Sequence, residues 1–208
     1  MAAVPNFAQP LREEDVDPDP FRQFAIWFDE AAGAGVRAPE AAALATASDD
    51  GAPSVRMVLV KRTDADGFVF YSNYESRKGT DLTENPRAAL LFHWDELGRQ
   101  VRIEGSVDRL SAEESAAYIR TRPRGSQLSA LASPQSRVIA SREELEQRVG
   151  ELAARYENAE LPLPDWWGGC RLSPRSIELW QHREDRLHDR LRYTRVDGQG
   201  WTLERLAP

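Results

Sequence analysis

The hydrophobic pattern of the chain changes its period at Ala42, and this change restricts the possible folds more than any other feature. Before it, aromatic and apolar residues recur at helical spacing from Phe21 to Ala31. After it, apolar and polar residues alternate in short segments separated by turn sequences, as in antiparallel strands. Helical segments interrupt the strands without βαβ alternation, so the sequence predicts a mainly β, α+β fold: a closed or nearly closed antiparallel β-barrel with helices packed outside. The strands are predicted at residues 42–47, 54–63, 68–72, 88–94, 100–109, 169–172, 177–181, 191–196 and 201–205.

Capping sequences mark where the helices begin. Asp19 is a typical N-cap and Pro20 a typical first helical residue. Capping boxes start at Ser111 and Ser141, and a short helix is predicted at residues 76–85. The apolar side of the first helix is predicted to be core or interface rather than a cofactor contact.

The length of 208 residues suits one domain with a real core. The first residues contain Pro5 and Pro10 and show no periodicity. We therefore expect a flexible N-terminal arm at residues 1–16 and a single domain at residues 17–208.

The charge balance excludes some classes of partner. Twenty-seven Lys and Arg against 34 Asp and Glu give a formal net charge of -7, which does not favour nucleic acid or an anionic membrane. No apolar run reaches the ~18 residues of a membrane helix, and Met1-Ala-Ala-Val-Pro5 lacks the features of a signal peptide. We therefore expect a cytoplasmic protein. The three histidines and the single Cys170 lack ligand spacing, so no metal site is predicted.

Cationic and aromatic side chains are concentrated between Trp180 and Arg190, in a loop that two predicted strands would hold. A guanidinium can bind a phosphate or carboxylate through its planar fork, or lie flat on a ring. The segment therefore suits a flat, anionic molecule. An alternative is a polar hairpin rim whose arginines pair with Glu184, Asp185 and Asp189.

Other segments offer similar chemistry. Arg77 and Lys78 lie at a predicted helix start, where backbone donors and cations favour anions. Tyr118, Arg122 and Ser126 follow one another at spacings of four and would converge if the turn stays nearly helical, although Pro123 interrupts it. By composition alone, these cations could equally be solvated or could complement a helix C-terminus.

Taken together, the motifs resemble the pyridoxine (pyridoxamine) 5'-phosphate oxidase family over roughly residues 17–208. The motifs are Arg56-Met-Val-Leu-Val-Lys61, Tyr71-Ser-Asn73, Ser76-Arg-Lys78, Asn85-Pro86, Arg99-Gln-Val-Arg102, Arg122-Pro-Arg-Gly-Ser-Gln127, Ser133-Pro-Gln-Ser136, Pro162-Leu-Pro164, Trp167-Gly-Gly169, Arg186-Leu-His-Asp-Arg190 and Arg205-Leu-Ala-Pro208.

The resemblance implies a homodimer of split β-barrels with flavin mononucleotide (FMN) at the subunit interface. It implies oxidation of pyridoxine or pyridoxamine 5'-phosphate to pyridoxal 5'-phosphate by hydride transfer to the flavin, with O2 as acceptor and H2O2 as product. Gln135 and Ser136 are expected from the other side of the interface. The residues implied for FMN are Arg56, Lys61, Tyr71, Ser72, Arg77, Lys78, Gln100, Gln135, Ser136, Trp180 and Arg190; those for the substrate phosphate are Lys61, Tyr118, Arg122 and Ser126; those for the reacting ring, with a catalytic role, are Arg186 and His188.

One segment and three single residues depart from the family pattern. Ala3-Val-Pro-Asn6 replaces an Arg-Arg-Glu-Tyr-like segment that covers the substrate, His182 replaces a common glycine, and Ser129 and Leu131 stand where Gly and Trp are usual. Two alternatives stay open: a related flavin oxidase of the phenazine-pathway type, and a non-catalytic protein that binds flavin or pyridoxal phosphate. The arginine-rich run around Arg122 favours a phosphorylated substrate.

Overall fold

A computed structural model describes residues 10–208, so the substituted segment at residues 3–6 and most of the predicted arm lie outside the described residues. Residues 10–16 of the predicted arm lie against the domain in this structure. Leu11 and Val16 are buried, and the Leu11 N–H donates to the Asp189 carboxylate at 3.1 Å. The two apolar side chains are too far apart to form a recognisable pattern, yet their burial holds this segment on the domain.

Eight antiparallel strands form one sheet in the order β3-β2-β1-β4-β5-β6-β7-β8, and an additional β3–β6 pairing closes six of them into a barrel. The predicted antiparallel barrel with outer helices is therefore confirmed. The strands are β1 (Ala41–Ala47), β2 (Pro53–Asp64), β3 (Gly67–Asn73), β4 (Arg87–Trp94), β5 (Arg99–Arg109), β6 (Trp167–Gln181), β7 (Asp189–Val196) and β8 (Gly200–Arg205); the helices are α1 (Pro20–Gly33), α2 (Arg77–Glu84), α3 (Ala112–Thr121), α4 (Arg124–Ala132) and α5 (Arg142–Arg155).

One strand differs from the prediction. Residues 169–172 and 177–181 belong to a single strand, β6, which continues through Pro174. The pairing of β6 with β5 shifts between Glu104 and Gly105, and the proline lies at this irregularity. A proline is tolerated there because a bulge interrupts the ladder of hydrogen bonds. The result is one strand long enough to connect two distant parts of the molecule.

The core fills the barrel and continues under α1. The Phe24 ring lies 4.9 Å from that of Phe68 and 5.0 Å from that of Phe92, and all three side chains are buried. Asp19 caps α1 by accepting from the Phe21 N–H at 2.9 Å. The predictions of a capped first helix and of its apolar core side are confirmed.

The outer side of β2 carries exposed apolar residues, which we call the β2 stripe. Val55, Met57 and Leu59 are 69%, 64% and 46% exposed. Alternation along the strand places these residues opposite Arg56, Val58 and Val60. Exposed patches of this kind mark interaction surfaces.

None of the helices found in residues 10–208 is long and apolar enough to cross a membrane.

Candidate active site

A cleft of about 790 Å³ lies between the β3–β6 edge of the barrel and helices α4 and α5. Five of the residues predicted for FMN or substrate line it: Tyr71, Ser72, Arg122, Ser126 and Gln135. Its other lining residues are Asn73, Ser129, Ala130, Ser133, Arg142, Leu145, Glu146, Val149, Gly150 and Trp167. The cleft has the size expected of a small-molecule site.

Lys78 is buried beside this cleft. Ser76 caps α2, and this cap directs the first turn of the helix toward β3. The Lys78 Nζ donates to Ser72 Oγ at 3.0 Å, Ser76 Oγ at 3.2 Å and Gln135 Oε1 at 2.9 Å. All three acceptors are neutral, and no carboxylate oxygen of residues 10–208 lies within 4 Å of the ammonium. Burial, with a contribution from Arg56, lowers the pKa of Lys78 to about 8. A buried cation without a counter-ion is a strong candidate for anion binding.

Arg56 is held close to this ammonium by a network of oxygens. Its Nη1 donates to Thr46 Oγ1 at 2.6 Å and its Nη2 to Ser54 Oγ at 2.6 Å. The Asp81 carboxylate lies 3.7 Å from Nη2. Burial lowers the pKa of Arg56, and the nearby charge of Arg77 lowers it further. Three cations therefore converge at the start of α2.

Aromatic rings form a stack along the cleft. The Tyr118 ring lies on that of Tyr71 at 3.6 Å with an interplanar angle of 11°, and the Trp167 ring is stacked with Tyr71 at 5.7 Å. A Cβ on Gly169 would lie 2.5 Å from the Leu110 side chain and 3.0 Å from the Tyr71 ring, so a larger residue there would displace Leu110 and press on the Tyr71 ring. The chain leaves α3 at Arg122 in an extended conformation, so the nearly helical turn that would join Tyr118 to Ser126 does not form. Arg122 and Ser126 nevertheless meet in the cleft.

A second group of predicted residues lies at the β6–β7 end. Trp180 pairs in register with both Gln100 and Arg190. The His188 ring lies 4.6 Å from that of Trp180, and its Nδ1 accepts the Arg183 N–H at 3.1 Å. Arg190 donates to the Glu178 carboxylate at 2.8 Å, which raises the pKa of Arg190. We call residues 182–188 the hairpin tip.

Backbone strain coincides with these predicted residues. Within residues 10–208, the non-glycine residues with positive φ are Ser136 (71°), Asp185 (56°) and Arg186 (60°). Left-handed conformations are costly for such residues and persist where surrounding structure enforces them, often at functional sites. Ser136 and Arg186 were predicted as site residues, and Asp185 directly precedes Arg186 in the hairpin tip.

The structure does not bring the two groups together within one chain. Gly169, opposite Tyr71, and Trp180, opposite Gln100, are separated by roughly 35 Å of strand at ~3.3 Å per residue.

Lys61 lies apart from the residues that line the cleft; its ammonium is 3.2 Å from the Glu40 carboxylate. Gln135, which was expected to reach the cofactor from the other side of the interface, contacts Lys78 of its own chain, because the loop after α4 brings the two residues together.

Two family models match the sequence: Pyridoxamine 5'-phosphate oxidase over residues 28–156 and Pyridoxine 5'-phosphate oxidase C-terminal dimerisation region over residues 167–208. The curated pyridoxine/pyridoxamine 5'-phosphate oxidase of Rubrobacter xylanophilus is 57% identical over 95% of this chain and 91% of the relative. That of Salinibacter ruber is 56% identical over 95% and 93%. The chain belongs to the pyridoxine/pyridoxamine 5'-phosphate oxidase family. This result confirms the resemblance, the oxidoreductase class and FMN as the cofactor of the family.

Solved structures support the same fold. PhzG from Burkholderia lata 383, in complex with tetrahydrophenazine-1-carboxylic acid, has a TM-score of 0.88 and 35% identity over 98% of this chain and 96% of that chain. A pyridoxamine 5'-phosphate oxidase-related, FMN binding protein from Nostoc punctiforme has a TM-score of 0.71 at 18% identity, over 93% and 99% of the two chains, and shows the fold alone. The split-barrel prediction is confirmed.

The two family regions correspond to the two groups of predicted residues. The oxidase region at 28–156 contains most of the cleft, and the dimerisation region at 167–208 contains the hairpin tip. Homodimerisation is thus supported by the family region in which the tip lies.

Two positions that depart from the family pattern lie at the site. Ser129 lines the cleft, and the His182 ring lies 5.2 Å from that of His188. Sequence reasoning gave no site role to Trp167 or to the α5 wall at Leu145 and Val149. An aromatic residue before two glycines, and an amphipathic helix, look the same in a sequence whether or not they face a ligand.

Residues 10–208 contain no group of three His, Cys, Asp or Glu side chains that could hold a metal ion.

Proposed function

We propose that this protein uses FMN to oxidise pyridoxine or pyridoxamine 5'-phosphate to pyridoxal 5'-phosphate, with O2 as the acceptor, in the cytoplasm. The observation that carries the proposal is the buried Lys78 ammonium, which has only neutral partners and lies beside a cleft that Arg122 and Ser126 also line. FMN and the substrate are both phosphate monoesters. Two separate cationic positions at one cleft suit two such ligands.

The residues around Lys78 fit the phosphate end of FMN. Lys78, Arg77 and Arg56 supply positive charge, Ser72 and Gln135 supply polar groups next to it, and Ser136, which follows Gln135, is proposed to add a further polar group. No carboxylate oxygen of residues 10–208 lies within 4 Å of Arg77. Bound FMN would accept a hydride from the exocyclic carbon of the substrate and pass the electrons to O2. The protein would hold the reactants in position and exclude water.

Tyr118, Arg122 and Ser126, with Lys61, are proposed to bind the substrate phosphate. Arg122 and Arg186, like Arg77, have no carboxylate partner within 4 Å in the described chain, so their donors are available to an anion. Arg186 is exposed at the hairpin tip, where a guanidinium could cover the pyridine ring.

His188 is proposed to donate a hydrogen bond to the substrate ring. Its Nδ1 accepts the Arg183 N–H at 3.1 Å. A neutral imidazole that accepts at Nδ1 carries its proton on Nε2. The ring therefore offers an N–H rather than a base at Nε2, which suits orientation of the substrate.

The complete site is proposed to form between two chains. Trp180 lies at the far end of β6 from the cleft, together with Gln100 and Arg190, which pair with it, and with Arg186 and His188 of the hairpin tip. We propose that these residues face the cleft of the partner subunit. The β2 stripe is exposed beside Arg56 and would be covered in such a dimer.

An anaerobic visible spectrum tests the proposal. We expect a yellow flavin band that bleaches when pyridoxamine 5'-phosphate is added and returns with air, with pyridoxal 5'-phosphate and H2O2 as products. A flavin band that ignores this substrate but bleaches with a reduced phenazine precursor would support the phenazine-type alternative. A band that responds to neither would support a non-catalytic binder, and a protein that cannot be reconstituted with FMN would refute the site.

A further inference from the structure

Trp167 lies in the wall of the cleft beside Arg122, one of the residues proposed for the substrate phosphate. It is the first residue of β6, is 5% exposed and lines the cleft together with Arg122, Ser126 and Tyr71. A buried tryptophan usually indicates core packing, but this ring forms part of the wall of a cleft.

Two contacts connect the Trp167 ring to substrate-binding residues. The Arg122 guanidinium carbon lies 5.8 Å from its ring centroid. The ring is also stacked with Tyr71 at 15°, and Tyr71 is stacked with Tyr118. The Trp167 indole therefore contacts Arg122 directly, and it is connected to Tyr118 through the ring of Tyr71.

The contact with Arg122 matters because this arginine lacks other anchors. No carboxylate of residues 10–208 lies within 4 Å of its guanidinium, whereas Arg120 and Arg171 on neighbouring elements form ion pairs. An arginine side chain loses much rotamer freedom when it is held in one position. An aromatic platform restricts the guanidinium without occupying its hydrogen-bond donors, which a carboxylate would occupy.

We infer that Trp167 is a positioning residue for the substrate phosphate, acting through Arg122, and that it sets part of the preference for phosphorylated over non-phosphorylated vitamers. This inference rests on the proposed function. Because the platform orients Arg122, its loss weakens binding of the phosphate group and leaves the recognition of the pyridine ring in place.

The test compares two ligands in the wild-type protein and in variants of Trp167. The dissociation constants of pyridoxal 5'-phosphate and of pyridoxal, measured by absorbance titration of the FMN-loaded protein, give a phosphate-selectivity ratio. We expect Trp167→Leu to lower this ratio about threefold to thirtyfold, and Trp167→Phe to lower it less, because phenylalanine has a weaker ring quadrupole. The KM for pyridoxamine 5'-phosphate should rise in parallel while kcat changes little.

A double-mutant cycle separates this role from general packing. In an Arg122→Ala background, Trp167→Leu should leave the ratio unchanged, because the residue through which it acts is gone. An equal fall in both backgrounds, or no fall in either, would overturn the inference. If the leucine variant does not fold, Trp167→Phe with and without Arg122→Ala provides the same comparison.

Trp27→Leu is the matched control. Arg99 lies 4.4 Å from the centroid of this buried ring, outside the cleft. This variant should lose thermal stability and keep the wild-type ratio. A wild-type protein that does not distinguish the two ligands would instead refute the proposed function. This outcome differs from those that overturn the inference on Trp167.

Discussion

At the scale of single residues, the free-energy cost of forming the site is concentrated in Lys78. This residue is 8% exposed, and its ammonium has only neutral hydrogen-bond acceptors. Without FMN, the folded chain must keep this charge away from water and from a counter-ion. We therefore expect Lys78 to favour FMN binding and to lower the stability of the FMN-free protein.

The stability of the FMN-free protein should therefore rise with pH above 8. The pKa of Lys78 is lowered from 10.5 to about 8, so between these values the unfolded chain binds a proton that the folded chain has released, and stability increases with pH. We expect Lys78 to contribute a gain of about 2 kcal/mol from pH 7 to pH 10, allowing for partial screening, measured as the difference in urea unfolding between the FMN-free wild-type and Lys78→Met proteins. Burial raises the pKa of the Cys170 thiol to about 11, which opposes part of this gain in both proteins.

Lys78→Met should abolish this rise, stabilise the FMN-free protein at pH 7 and weaken FMN binding at least about tenfold. Lys61→Met, at an exposed and ion-paired lysine, is the control and should keep the rise. An unchanged pH dependence in Lys78→Met would show that another group titrates.

At the scale of structural elements, the hairpin tip depends on two consecutive left-handed residues. Asp185 has φ of 56° and Arg186 of 60°, and the Leu187 N–H donates to Glu184 O at 3.2 Å. This tight turn fixes the direction in which Arg186 leaves the backbone. A change of conformation at Asp185 would therefore move Arg186.

Two substitutions at Asp185 should differ in their effect on turnover. Asp185→Gly, which allows positive φ, should keep turnover within about threefold. Asp185→Val should lower kcat/KM about tenfold or more, because a β-branched residue disfavours positive φ and would displace Arg186. FMN affinity, measured by titration, should change little in either variant, and equal turnover in both would exclude a role for the strained turn.

The sequence predicts most elements but not how they meet. Alternating residues and turn sequences located β1 to β5, β7 and β8, although β3 is buried on both sides. Pro174 hid the continuity of β6, since a proline in a central strand depends on a bulge that only the β5 pairing reveals. The convergence of Arg122 and Ser126 was predicted for a nearly helical turn, but it occurs with Arg122 in an extended conformation before Pro123. Motif resemblance, rather than composition, supplied the individual site residues.

At the scale of the whole molecule, the β2 stripe is the surface that the proposed dimer should cover. Met57 is 64% exposed on the strand that carries Arg56. Met57→Glu would place a charge in an apolar interface, so we expect a monomer with at least about tenfold weaker FMN binding. Light scattering after gel filtration and FMN titration would measure both. Ile26→Glu, at an exposed residue of α1, is the control; a dimeric Met57→Glu protein would place the interface elsewhere.

The length of β6 has a genetic consequence. If each cleft is completed by the hairpin tip of its partner, two inactive variants with defects at opposite ends of this strand can complement each other. In a mixed dimer of Lys78→Met and Arg186→Leu chains, one site carries both defects and the other carries none. Co-expression of the two should restore about a quarter of wild-type activity, since half of randomly formed dimers are mixed and each has one intact site. Sites built within single chains would give no recovery, so two null alleles in one cell could report which chains form a site.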